Sequence, residues 1–200
     1  MHATDAPSTT SVDLLWIPLG TGASVVRLSG RLFEAGAALL TRRRRADLYH
    51  SALVVTVDGV RTTIEMAPVE AGPGPGRGAV AVGPVGSPWL RRLRIFRYEV
   101  RCWPEGTIPD APQAVGGPRR LSTDDEVARR LIAAAPSVPT PTWGRDELRC
   151  GEMWNSNSVT SWLLGSAGID VAAIALPDHG RAPGWQAGIV EVSRHPPAGR

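Results

Sequence analysis

LYHSALVVTVDGVRTTIEMAPV, Leu48 to Val69, holds two runs rich in β-branched residues with Asp58-Gly59 between them. Asp-Gly tolerates the positive φ angles of a type I′ turn, so the stretch predicts a two-residue β-hairpin. Val57 then faces Val60, and counting back sets Ala52 opposite Glu65. Side chains alternate along a strand, which puts Ser51, Leu53, Val55 and Val57 on one face with Val60, Ile64 and Met66. That apolar face needs a cover. A hairpin is unstable alone, so further strands are expected beside it and helices over it.

The neighbouring segments supply both. DLLWIPLG, Asp13 to Gly20, reads as a short buried strand, and LRIFRYEVRCW, Leu93 to Trp103, alternates as a half-exposed strand that joins the hairpin's sheet. AGIVEVSR, Ala187 to Arg194, reads as a last strand. SGRLFEAGAALLTRRRR, Ser29 to Arg45, is an amphipathic helix closed by Arg42 to Arg45. Thr123 and Glu126 form a capping-box pattern ahead of Val127, Leu131 and Ile132, with Pro136 as the stop. SVTSWLLGSAG gives a further helix, with Gly168 just past its end. The Gly- and Pro-rich run Glu70 to Pro88 is a loop carrying at most one short edge strand. The expected fold class is therefore α+β, a mainly antiparallel sheet with packed helices.

A chain of 200 residues with 42% hydrophobic content supports one domain, expected over residues 12–195, with residues 1–11 disordered and 196–200 a flexible tail. All 22 basic residues are Arg, a sign of GC-rich coding, and 19 acidic residues leave a net charge of only +3. That balance does not call for nucleic acid. The Arg42 to Arg45 run is either a solvated helix end or a contact for an acidic partner. Cys102 and Cys150 lack the spacing of a metal site or a disulfide framework, so no metal and no cofactor is expected, and a reducing, cytoplasmic location is. Gly20-Thr21-Gly22 is not a dinucleotide loop, because Val25 stands where a third glycine is required. No segment has the apolar length of a membrane span.

The chemistry-bearing candidates come from two places. In the hairpin count, His50 and Glu65 fall as diagonal neighbours on the face opposite the apolar one, within reach of a His-carboxylate hydrogen bond. In MWNSNSVTSWLLGSAG, Met153 to Gly168, the run Asn155-Ser156-Asn157-Ser158 stands at the start of an apolar helix, flanked by Trp154 and Trp162. One such residue caps a helix. Four fit a polar pocket in which unpaired helix amides receive an oxyanion and a nucleophile is activated.

WNSNSVTSWLL resembles the N-C-N-x-F nucleophile helix of the permuted papain-like proteins, particularly the PPPDE group of thiol peptidases. LYHSALVV resembles their histidine strand, which precedes the nucleophile in the permuted order; lecithin:retinol acyltransferase-like and NlpC-like branches share that arrangement. The resemblance covers about a third of the chain. It implies a permuted papain-like fold acting as hydrolase or acyltransferase on an amide or ester of a small-molecule, peptide or lipid substrate. By position, His50 is the base, Ser156 replaces the nucleophilic cysteine, and Asn155, Asn157, Ser158 and Trp154 border the substrate. Glu65 is an orienting group that the family pattern does not itself demand. A serine hydroxyl cannot pre-ionise as a thiol does, so catalysis depends on an aligned base. The alternative is an inactive papain-like module that keeps the cleft for binding. His179, Arg181 and Trp185 are further candidates for lining it.

Overall fold

The computed structural model describes residues 10–19, 47–69 and 78–196. The helix expected over 29–45, the Arg42 to Arg45 contact, and the two terminal segments fall largely or wholly outside the described residues.

Among the described residues the hairpin belongs to a set of seven strands: β1 (Ser11–Pro18), β2 (Asp47–Val57), β3 (Val60–Pro68), β4 (Ala79–Pro84), β5 (Arg97–Pro104), β6 (Arg119–Ser122) and β7 (Gly180–Arg181). The order across the sheet is β4-β5-β3-β2-β1-β6, antiparallel throughout this path, with β7 adding a short parallel pair to the start of β2. Val57 faces Val60 and Leu53 faces Ile64, as the turn chemistry requires. Asp58 and Gly59 take φ angles of 50° and 78°. The short edge strand expected within the glycine-rich loop is β4.

The described residues also form three α-helices: α1 (Asp125–Ala134), α2 (Ser156–Ser166) and α3 (Trp185–Arg194). α1 and α2 pack on the hairpin, while α3 packs on α2. Leu53, Val55, Val57, Ile64 and Met66 join Val12, Leu14, Trp16, Leu131, Trp162, Leu163 and Leu164 in one buried cluster beneath these helices. The opposite face carries a smaller cluster of Leu15, Ile17, Ala52, Val54 and Ile108, covered by the segment that contains Ala111 and Ala114.

Four expectations are corrected. Ala187 to Arg194 is helical, not a strand. Its Val and Ile residues favour β structure only weakly, and packing against α2 overrides that preference. Gly188 permits the close crossing: a Cβ there would lie 2.1 Å from the Ser158 carbonyl oxygen and from Ser161 Oγ. The first strand begins at Ser11, two residues earlier than expected, because β2 offers partners through Thr56. The α1 cap is Asp124 rather than Thr123; its Oδ1 accepts from the Glu126 and Val127 amides at 2.8 and 3.1 Å. The strand expected from Leu93 begins only at Arg97, and two 3-10 turns, Pro88–Arg92 and Arg94–Phe96, precede it.

Candidate functional site

The site proposed from sequence centres on the start of α2. Asn155 is the N-cap, its Oδ1 accepting from the Asn157 amide at 2.8 Å. Ser158 reciprocates, its Oγ accepting from the Asn155 amide at 3.0 Å, which completes a capping box. Two of the four polar residues thus close the helix end, as capping chemistry predicts.

Three of the four also tie α2 to its surroundings. Ser158 Oγ donates to the Gly184 carbonyl at 2.7 Å, and Asn155 Nδ2 to the Pro183 carbonyl at 2.7 Å. Asn157 Oδ1 accepts from Ser51 Oγ at 2.8 Å, and its Nδ2 donates to the carbonyls of Tyr49 and Pro183, each at 2.9 Å. Further along α2, Ser161 Oγ donates to the Trp185 carbonyl at 2.8 Å. The polar run therefore stitches α2 to β2 on one side and to the Pro183–Trp185 strap on the other. Gly184, with φ of 89°, fits this strap because a Cβ would meet Asn155 Oδ1 at 2.4 Å.

Burial separates the five residues of this region. Trp154, Asn157 and Ser158 are at most 2% exposed, so none of them borders a cleft as expected. Trp154 belongs to the main core instead. Asn155 and Ser156 are half-buried. Ser156, the first residue of α2, makes no side-chain hydrogen bond with any described residue. The Asn157 amide is already engaged by Asn155 Oδ1, so it does not stand free for an oxyanion.

His50 is not brought to this end of α2. Ser51 reaches Asn157 on the helix-covered face of the sheet, and alternation turns its neighbour to the other side. His50 faces Ile17 across β1 and β2, on the side of the smaller cluster. Its pKa lies below the ordinary imidazole value because burial disfavours the cation, an effect that the charge of Asp110 partly opposes. Glu65 does not orient it. Glu65 pairs with Arg101 of β5, whose Nη1 lies 3.2 Å from Glu65 Oε1 and whose Nε lies 2.5 Å from Glu99 Oε1. An arginine directly opposite in register competes better for the carboxylate than a diagonal imidazole does.

Of the further candidates, His179 is exposed, while Arg181 and Trp185 share a depression. Trp185 packs on Trp16, ring centroids 4.9 Å apart. A small depression beside the strap is lined by Glu152, Arg181, Pro183, Trp185 and Gln186, with Glu152 accepting from the Gln186 amide at 3.0 Å. Among the described residues, no group of three or more His, Cys, Asp or Glu side chains is placed to hold a metal ion, and no helix is long and apolar enough to cross a membrane.

A second surface escaped the sequence reading. The β4–β5 connection exposes Trp89, Leu93 and Ile95 together with Arg91, Arg92 and Arg94, and Pro88, Trp89, Arg91, Arg92 and Arg97 line an open depression there. The available signal was charge: no acidic residue occurs from Ala71 to Tyr98. Alternation was extended from Tyr98 back through Leu93 and hid it.

No protein-family model, curated protein or solved structure matches this chain.

Proposed function

We propose that the protein is a binding module whose histidine strand and polar helix start resemble papain-like segments in sequence but do not assemble into an acyl-transfer site. The Ser51–Asn157 hydrogen bond of 2.8 Å carries this reading. It assigns the helix-facing side of β2 to Ser51, leaving the imidazole across the sheet from the only hydroxyl of the run that is not already bonded. A serine nucleophile needs a base within hydrogen-bond reach. The polar run serves instead to hold α2 and the strap as a rigid frame. The two unpaired thiols, Cys102 and Cys150, suit a reducing compartment, and a cytoplasmic location is part of the proposal.

A Ser-His hydrolase or acyltransferase is the second reading. What favours it is Ser156 itself, a half-buried hydroxyl at the positive end of an 11-residue helix. A fluorophosphonate probe with intact-mass readout decides between the two, applied to the wild type, Ser156→Ala and His50→Ala. No adduct is expected. A single adduct lost in both variants would establish an activated serine and overturn the binding reading.

A further inference from the structure

We propose that the β4–β5 connection is a docking element for an anionic lipid surface, with Trp89, Leu93 and Ile95 entering the interface and Arg91 and Arg92 meeting lipid phosphates. The proposal rests on the binding reading only in taking association, not chemistry, as the function.

The first argument is shape. Arg91 to Ile95 are five consecutive exposed residues. Successive side chains of a turn point in different directions, so a run exposed throughout opens the loop to solvent on more than one side. Trp89, Leu93 and Ile95 are 72%, 52% and 73% exposed, three large apolar side chains in one short loop. Single exposed apolar residues are ordinary, but three together on a projection mark a contact surface.

The second argument is order. Leu90, Leu93 and Phe96 donate their amides to the carbonyls of Ser87, Leu90 and Leu93 at 3.1, 2.8 and 3.0 Å. The Arg97 guanidinium donates to the carbonyls of Arg91 and Arg92, which staples the two turns together. At the base, Gly86 donates to the Trp143 carbonyl at 3.1 Å, and the Trp143 ring meets Tyr98 edge-on at 6.0 Å. The tip is thus presented in a fixed shape, so docking costs little ordering.

The third argument is chemistry. The loop from Val85 to Arg97 carries four Arg and no acidic residue. Phosphate would pair with Arg91 and Arg92 in either a nucleic acid or a lipid headgroup, but Leu93 and Ile95 gain nothing from a phosphodiester backbone and do gain from acyl chains. Trp is the residue most at home at the level between headgroup and hydrocarbon. An exposed loop that combines three large apolar side chains with basic ones fits a bilayer.

The test is flotation of the full chain with phosphatidylcholine vesicles and with vesicles in which a third of the lipid is phosphatidylglycerol. Association with the anionic vesicles alone is expected, and it should fall in half-molar sodium chloride. The pair Arg91→Gln and Arg92→Gln should weaken it about thirtyfold, and Trp89→Ser with Ile95→Ser at least as much. All four positions are exposed, so unchanged circular dichroism accompanies these variants. Equal flotation of the apolar variants would mean purely electrostatic adsorption and would overturn the proposal, as would failure to float with anionic vesicles. Tight binding to heparin or to an acidic peptide that survives Ile95→Ser would assign the loop to a soluble polyanion instead. A fluorophosphonate adduct with vesicle binding intact would remove the non-catalytic reading and leave this one standing.

Discussion

Asn157→Ala is the substitution that most directly tests what the polar run does. The side chain is 2% exposed and takes part in three hydrogen bonds, with Ser51 Oγ, the Tyr49 carbonyl and the Pro183 carbonyl. At about 1 kcal/mol net for each bond, their loss removes about 3 kcal/mol, and the Ser51 hydroxyl, itself 1% exposed, then lacks its acceptor at a further cost of about 1 kcal/mol. A total near 4 kcal/mol lowers the midpoint of thermal unfolding by about 12 °C in a chain of this size. Urea unfolding followed by tryptophan fluorescence and by circular dichroism measures it. Ser51→Ala should cost about 1–2 kcal/mol, and the double variant should reveal a coupling of about 1 kcal/mol between the two sites. Ser156→Ala, in contrast, should stay within about 0.5 kcal/mol of wild type. A loss below about 1 kcal/mol for Asn157→Ala would refute the reasoning, since an amide there for ligand recognition can be removed with little effect on folding.

Three further outcomes follow from other parts of the fold. Gly188→Ala should destabilise by about 1–3 kcal/mol or more, because its Cβ would enter the Ser158 backbone rather than a flexible side chain; the urea midpoint reports it. Arg101→Met should cost about 3–5 kcal/mol, since the Arg101 side chain is 5% exposed and its removal leaves Glu65 and Glu99 without the cation between them; Glu65→Gln with Glu99→Gln in the same chain should recover part of that loss. His50 has a lower pKa folded than unfolded, so the unfolded chain binds the proton first as pH falls. Stability should therefore decline below about pH 6.5, and the decline should be shallower in His50→Gln when thermal midpoints are compared across pH.

The hairpin was legible because its determinants are local. Asp58-Gly59 fixes the turn, the turn fixes the register, and the register fixes which side chains share a face. The parity that made Ser51, Leu53 and Val55 core-facing also turned His50 away from the core. What sequence could not supply was how α2 sits on the sheet: it is bonded to Ser51, on the face of β2 opposite the His50 side chain. The partners of the polar run lie far off in the chain: Ser51 and Tyr49 are separated from Asn157 by 106 and 108 positions, and Pro183 by 26. That part of the run caps α2 was legible, but not which residues do so; Asn155 and Ser158 form the cap through bonds that close within one turn. The last helix was missed because a short apolar run reads equally as strand or buried helix, and Gly188 carries no side-chain signal of the helix it crosses.

The composition of α2 has a consequence for how the protein folds. Ten of its 11 residues are buried, yet it is built from Ser, Asn, Thr, Val, Trp and Gly with only two Leu, residues that form isolated helices poorly. Such a segment has no reason to be helical before β2 and the strap are in place to receive it. Closure of a loop of about a hundred residues must come first, which slows folding and makes it cooperative. The amides of α2 should then exchange with solvent only when the whole domain opens.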